Sequence, residues 1–148
     1  MQRVFLWLVV GFSLSACASV ERPSVTLAGV KLAGLGLFEQ RLVTTLRIQN
    51  PSSAELALAG VSVEIELNGN TFSRGVNPAS IVIPAYAQDT VSVETISTTS
   101  GVVRQLRGLG KAGVKLNYRL KGQLQPRDRP DPIAFDDKGV ISLTELGS

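Results

Sequence analysis

The fold is decided by residues 61–70, which read VSVEIELNGN. Positions 61, 63, 65 and 67 are apolar and the positions between them are polar, so the stretch alternates with a period of two. This pattern predicts a β-strand with one buried face and one solvated face. Asn68 and Gly69 follow the strand directly and favour a tight hairpin, because both residues tolerate a positive φ. The stretch therefore predicts an antiparallel sheet.

The same alternation recurs on both sides of this hairpin. Residues 42–49 and 114–121 are predicted as half-buried strands, and further strands are predicted at 24–35, 71–75, 79–83, 90–96 and 139–143. Strands of this number and spacing predict an all-β fold, an antiparallel β-sandwich of about seven strands. From Ser100 to Leu109 the apolar residues instead recur at helical spacing. We expect one short amphipathic helix there, over an open end of the sandwich.

The composition excludes several kinds of chemistry. The chain has no histidine and one cysteine, so it lacks the commonest general base and cannot form a disulfide within the chain. Its 15 basic and 12 acidic residues are scattered, and a net charge of +3 does not indicate nucleic-acid binding. We expect no catalytic residues, no cofactor and no metal. The carboxylates of Asp136 and Asp137 are interpreted as a solvated turn entering the last strand, in preference to a cation site.

A group of basic residues allows two interpretations. Six positive side chains lie within residues 104–121, and they could face lipid headgroups. The interpretation we favour places Lys115, Arg119 and Lys121 on the solvated face of one strand, opposite Glu64 and Glu66 of another. In that case the charges neutralise each other across the sheet.

The N-terminus has the pattern of an export signal. Arg3 is followed by an apolar run over residues 4–12, which is too short to span a bilayer. Residues 14–17 read LSAC, which resembles the lipobox of bacterial lipoproteins and implies cleavage before Cys17 and lipidation of its thiol. Ordinary secretion with cleavage after Ala18 is the alternative. We expect residues 1–16 to be the signal peptide and residues 17–23 a lipidated tether.

Seven short motifs follow one another along the chain: NP at residues 50–51, LAGV at 58–61, LNG at 67–69, RG at 74–75, IPA at 83–85, YRLKG at 118–122 and IAF at 133–135. This ordered series resembles the late embryogenesis abundant type 2 family, which contains the water stress and hypersensitive response (WHy) domain. The series spans about residues 24–143 of a predicted domain at residues 24–148, and the Asn-Pro pair after a strand is its most specific mark. The resemblance implies a fibronectin III- or immunoglobulin-like sandwich, a role in desiccation or general stress, and no agreed active site. We interpret the matching residues as structural; they are Asn50, Pro51, Gly60, Asn68, Gly69, Gly75, Pro84, Tyr118 and Gly122.

These observations predict a non-enzymatic envelope lipoprotein. Its lipid on Cys17 would hold it to a membrane. By analogy with Gram-negative lipoproteins, Ala18 in place of aspartate favours the outer membrane, facing the periplasm, in a Gram-negative source. We expect a monomer that binds or shields envelope proteins or lipids. The alternative is a binding module for a lipid or another apolar ligand held between the two sheets.

Overall fold

A computed structural model describes residues 21–98, Ser100 and residues 115–142. Within these ranges every strand pairing is antiparallel, and the predicted all-β fold is confirmed. The predicted helix from Ser100 to Leu109 lies outside the described residues apart from Ser100. The strands are β1 (Ser24–Leu35), β2 (Glu39–Gln49), β3 (Leu56–Leu67), β4 (Asn70–Asn77), β5 (Ile81–Ile83), β6 (Gln88–Thr98), β7 (Lys115–Pro126) and β8 (Ile133–Ser142).

The strands form one curled sheet. Its hydrogen-bonded order is β1-β2-β6-β4-β3-β7-β8, and β5 pairs with β3 beside this path. The β4–β6 pairing is only two residue pairs long, Arg74 with Ile96 and Gly75 with Thr95. Residues of β2 and β6 pack in one core with residues of β3, β7 and β8, so the two halves of the sheet face each other, as in a sandwich.

Alternating side chains from both halves fill the space between them. The core contains Leu46 and Ile48 of β2 together with Leu120 and Leu124 of β7, all four without solvent exposure. Burying side chains of this size contributes roughly 1.5–3 kcal/mol each. The apolar residues that alternate along the sequence are therefore the residues that form the core.

Gly122 marks a place where the backbone and a neighbouring ring come too close for a side chain. It lies on β7 between Val63 of β3 and Phe135 of β8. A Cβ at this position would collide with the carbonyl oxygen of Ser62 and with the ring of Phe135. The phenylalanine ring thus occupies the space that a larger residue would need.

The curl of the sheet gives the domain two ends. The N-terminal end holds the start of β1 at Ser24, the end of β2 at Gln49 and the start of β6 at Gln88, since the register joins these strand ends. The hairpin end holds the β1–β2 turn and the β3–β4 turn. β1 has 12 residues and so separates the two ends by about 40 Å.

Candidate functional site

Asn50 lies at the N-terminal end and binds several separate segments of backbone. Its side chain is almost fully buried, at 2% exposure. The amide Nδ2 donates to the carbonyl oxygens of Ala54 at 2.8 Å, Pro84 at 3.0 Å and Ile83 at 3.2 Å. The oxygen Oδ1 accepts from the backbone N–H of Ser52 at 3.1 Å and from its hydroxyl at 2.9 Å. One side chain thus fastens the end of β2 to the end of β5.

Backbone contacts complete this junction. The Asn50 N–H donates to the carbonyl of Ala87 at 2.8 Å, and the Tyr86 N–H donates to that of Ser52 at 3.1 Å. Tyr86 has a φ of 56°, which is uncommon for a residue with a side chain. Pro51 and Pro84 lie in the two loops that Asn50 joins. The Asn-Pro motif therefore closes the N-terminal end, and its polar groups are used in holding the loops.

The second motif, Asn68-Gly69, forms the β3–β4 turn at the hairpin end. Both residues have positive φ, 49° and 80°, as a type I′ turn requires. The Asn68 N–H donates to the carbonyl of Asn117 at 2.8 Å, and its Oδ1 accepts from the Asn117 N–H at 3.2 Å. The turn is thereby joined to the beginning of β7.

The remaining motif glycines lie within strands. Gly75 is at the short β4–β6 link and shares a row across the sheet with Val63 and Gly122. Gly60 lies at a register shift of β3 against β7, and its backbone passes close to the carbonyl of Asn77. Their role is to permit close approach of neighbouring strands. Cys17 lies outside the described residues.

The outer face of β4, β3 and β7 carries a network of ion pairs. Glu64 accepts from Arg74 Nε at 2.8 Å and lies 3.5 Å from Lys121 Nζ. Lys121 also donates to Glu66. In the register Glu64 is opposite Lys121 and Glu66 is opposite Arg119, so the predicted placement of these two basic residues is confirmed. The prediction is wrong for Lys115, which is opposite Ser142 of β8.

The pKa values reflect this pairing. Burial alone raises the pKa of Glu64, but hydrogen bonds from Thr71 and Arg74 and the nearby positive charges together hold that pKa below its ordinary value. The hydrogen bond and charge of Glu66 raise the pKa of Lys121. Both groups therefore stay ionised around neutral pH and lack the intermediate pKa that proton transfer needs.

The prediction for Asp136 and Asp137 is wrong in one respect. They do not form a turn before the last strand, because β8 begins at Ile133 and contains both. Asp136 faces outward and accepts hydrogen bonds from Arg119, at 2.9 Å from its Nε. Asp137 faces the other side and accepts from the hydroxyl of Tyr118 at 3.2 Å. Burial and the Asp137 charge raise the pKa of Tyr118. The two carboxylates therefore point apart and do not converge on one cation.

Buried hydroxyl groups form a second polar cluster near the hairpin end. The hydroxyls of Thr44 and Thr95 are 3.0 Å apart and fully buried. Ser73 of β4 and Ser97 of β6 are also buried, and their hydroxyls have no hydrogen-bond partner among the described residues. Continuing the β4–β6 register by one residue places these two serines opposite each other. None of the four has a neighbouring base in the described part of the chain, so nucleophilic activation has no support there.

The most exposed large apolar side chains of the described ranges are at the β1–β2 turn, which the sequence did not single out. Leu37 is 89% exposed and Phe38 is 82% exposed. The one signal in the sequence was an apolar pair set between Gly36 and Glu39, where a turn would be polar. A shallow groove of about 740 Å³ also runs along the outer sheet face, between the row of ion pairs and Gln123.

The described residues thus make a small all-β domain whose polar groups hold the fold together, and they contain no cluster of three or more metal-ligating side chains. No helix among them is long and apolar enough to cross a membrane. The chain belongs to the late embryogenesis abundant (LEA_2) family, whose model matches residues 45–136. It is therefore a stress-related protein of the LEA type.

Comparison with solved structures supports the fold. The solution structure of a protein from Arabidopsis thaliana is similar, with a TM-score of 0.66 and 18% identity over 89% of each chain. A crystal structure from Archaeoglobus fulgidus has a TM-score of 0.50 and 14% identity, covering 79% of this chain and 97% of that one. At these identities the likeness concerns the fold alone. No curated protein sequence matches the chain significantly.

Proposed function

We propose that this protein is a non-enzymatic, lipid-anchored envelope protein that supports desiccation or general stress tolerance by binding or shielding envelope components. The observation that carries the proposal is the order of its parts. An apolar run over residues 4–12 and the sequence LSAC at residues 14–17 precede a domain whose residues 45–136 match the LEA_2 family. Ala18 favours the outer membrane, with the domain facing the periplasm, in a Gram-negative source.

The geometry of the domain supports a role without catalysis. Its buried amide at Asn50 and its ionised pairs around Glu64 are occupied by structural hydrogen bonds. Glu64 lines the groove on the outer sheet face, but its carboxylate is already paired with Arg74 and Lys121. A shielding or binding role needs only a stable surface, and this is what the described strands provide.

An internal ligand has less support than an external contact. Fully buried side chains from β2, β3 and β7 fill the space that the described strands enclose, including Leu46, Ile65 and Leu120. The groove along the outer face lies at the surface and is not enclosed by the two halves of the sheet. A ligand between the sheets would have to displace core side chains. Native mass spectrometry of the purified protein would reveal such a ligand as added mass.

The anchor is tested by intact-mass analysis of the mature protein. Lipidation predicts an N-terminus at Cys17 that carries acyl chains, whereas ordinary secretion predicts an N-terminus after Ala18 and loss of the cysteine. Metabolic labelling with an alkyne fatty acid should mark the wild type and Ser19→Ala, which changes the tether only, but not Cys17→Ala. A mature chain that begins after Ala18, or a labelled Cys17→Ala variant, would show that the anchor is wrong.

The physiological role is tested by drying cells that lack the protein. We expect fewer of these cells to survive drying, and we expect both the wild-type protein and Ser19→Ala to restore survival. Cys17→Ala should restore less, because the domain then no longer concentrates at the membrane. Equal survival of the deletion strain and the wild type after drying and osmotic stress would contradict the stress role.

A further inference from the structure

Leu37 and Phe38, which we name the apolar tip, project from the hairpin end of the domain. The turn that carries them is closed by a hydrogen bond from the Gly36 N–H to the Glu39 carbonyl, at 2.9 Å. Both side chains are more than four-fifths exposed, at 89% and 82%. Soluble domains expose single apolar residues freely, but two adjacent bulky ones at the end of a hydrogen-bonded hairpin indicate a contact surface.

The size of the apolar tip argues against a stable protein partner. Two side chains of this kind offer about 300–400 Å² of surface, whereas a stable protein interface needs about 800 Å² from each side. The tip projects from a turn between two strands, and its two side chains border an open depression of the surface together with Arg41. A small apolar feature that projects in this way suits the interfacial region of a lipid bilayer, where it can enter between headgroups.

The charges around the tip are balanced. Lys31 and Arg41 lie on the same face of the hairpin, and Arg41 Nε is 3.8 Å from Glu94. Glu39 follows the tip directly. Long basic side chains beside an apolar tip can extend to headgroup phosphates while their stems stay near the apolar region. Because two positive and two negative groups cancel, the apolar side chains would carry the interaction.

The position of the tip relative to the tether decides the orientation. β1 begins at Ser24, directly after the tether, and ends next to the tip about 40 Å away. Residues 17–23 extend at most about 25 Å. A domain lying with β1 along the membrane places both the tether and the tip at one surface. Leu32, 55% exposed on the same edge strand, then lies near that surface as well.

We propose that the apolar tip inserts into the headgroup region of the membrane to which the protein is tethered, with β1 lying along the surface. This deepens the proposed function, on which it rests, by naming the envelope component that is contacted as phospholipid. The domain is then held flat at two points, the lipid on Cys17 and the apolar tip.

A single tryptophan can report this insertion. Trp7 is the only tryptophan in the chain, and cleavage before Cys17 would remove it; Trp7→Phe also removes it from any uncleaved chain and so gives a background without tryptophan. In that background Phe38→Trp places the reporter at the tip, and Val76→Trp places it on β4, where Val76 is 65% exposed. Both variants are purified as the full expressed product and reconstituted in vesicles of phosphatidylethanolamine and phosphatidylglycerol. Brominated phospholipids and aqueous iodide then measure where each indole lies.

Insertion predicts that the indole of Phe38→Trp emits at shorter wavelength, is quenched by brominated lipid and is protected from iodide. The indole of Val76→Trp should show the opposite pattern in equally anchored protein. Adding Leu37→Ser to the Phe38→Trp variant should reduce quenching by brominated lipid, while raising the salt concentration should leave it unchanged. Equal iodide access in the two single-tryptophan variants, or loss of lipid quenching in high salt, would overturn the proposal. Loss of the anchor is read separately, because the protein would then fail to float with the vesicles.

Discussion

Replacing Asn50 with alanine should cost more stability than any other change of a polar side chain in the described structure. The variant removes the donor for the carbonyl groups of Ala54, Ile83 and Pro84 and the acceptor for Ser52. The amide has two N–H protons, so two of the three donated bonds are strong at any moment. With the two accepted bonds, about four hydrogen bonds are lost.

The magnitude follows from the net value of each bond. A hydrogen bond contributes about 1 kcal/mol, and a buried group left without a partner costs about 1–3 kcal/mol. Water can reach the part-buried carbonyls, which recovers some of this loss. We expect the free energy of unfolding to fall by about 3 kcal/mol, a large share of the roughly 5–15 kcal/mol of a typical domain.

Urea unfolding followed by circular dichroism measures this loss. At an m value of about 1–3 kcal/mol/M, the midpoint should fall by about 1–3 M with m unchanged. Asn70→Ala is the matched control, because its exposed amide donates at 3.3 Å to the carbonyl of Asn68, and it should change stability by less than about 0.5 kcal/mol. A loss below about 1 kcal/mol for Asn50→Ala would refute the view that this side chain holds the loops together.

Asn50→Asp tests the direction in which stability should change with pH. A buried carboxylate facing three carbonyl oxygens has a raised pKa in the folded state. The native variant then binds more protons than the unfolded one, so its stability falls as the pH rises. The variant should be more stable at mildly acidic than at neutral pH, and a pH-independent difference from the wild type would contradict this.

Three further variants test the packing and the charges. Gly122→Ala should lower the free energy of unfolding by about 3 kcal/mol, because its Cβ would meet the carbonyl of Ser62. Gly29→Ala is the control, since there is open space around Gly29, and it should not destabilise the domain. Equal urea midpoints for the two variants would refute the close approach at Gly122. Ser97→Ala removes a buried hydroxyl that has no partner among the described residues and should raise stability by about 1 kcal/mol, and a lower thermal midpoint would contradict this. The pKa of Glu64 is lower in the folded state than in the unfolded state. The ionised carboxylate therefore adds to the free energy of unfolding above its unfolded pKa, and this contribution is lost as the pH falls through the folded pKa. The difference in the free energy of unfolding between wild type and Glu64→Gln should therefore disappear in acid.

The strands could be predicted from the sequence because burial alternates along them. In β3 the apolar positions of the sequence, from Val61 to Leu67, are the buried positions of the structure. The start of β8 could not be predicted, because Asp136, Asp137 and Lys138 have low strand propensity. Tertiary contacts override that propensity, since Arg119 and Tyr118 of the neighbouring strand bind the two carboxylates.

The junction at Asn50 was predictable only in part. The sequence predicts a turn after β2, because Asn-Pro ends a strand and an asparagine side chain can bind nearby backbone. Its bonds to Ile83 and Pro84 join residues that lie 33 and 34 positions apart in the chain. No local rule predicts such a bond, because it depends on how β5 pairs with β3.

The outer sheet face and the β1–β2 turn differ in how readily they could bind a partner. On the outer sheet face the charges around Glu64 and Lys121 are paired with each other, so a ligand there would have to break existing ion pairs before making new ones. At the β1–β2 turn, Leu37 and Phe38 lie almost fully in water, and covering them breaks no ion pair of the described sheet. Burial of apolar surface that is otherwise in water is favourable wherever it occurs. Covering the apolar tip would therefore be favourable, whereas binding on the charged face would first cost the free energy of its ion pairs. From the sequence alone, the basic residues of the charged face are the more obvious candidates for a membrane contact.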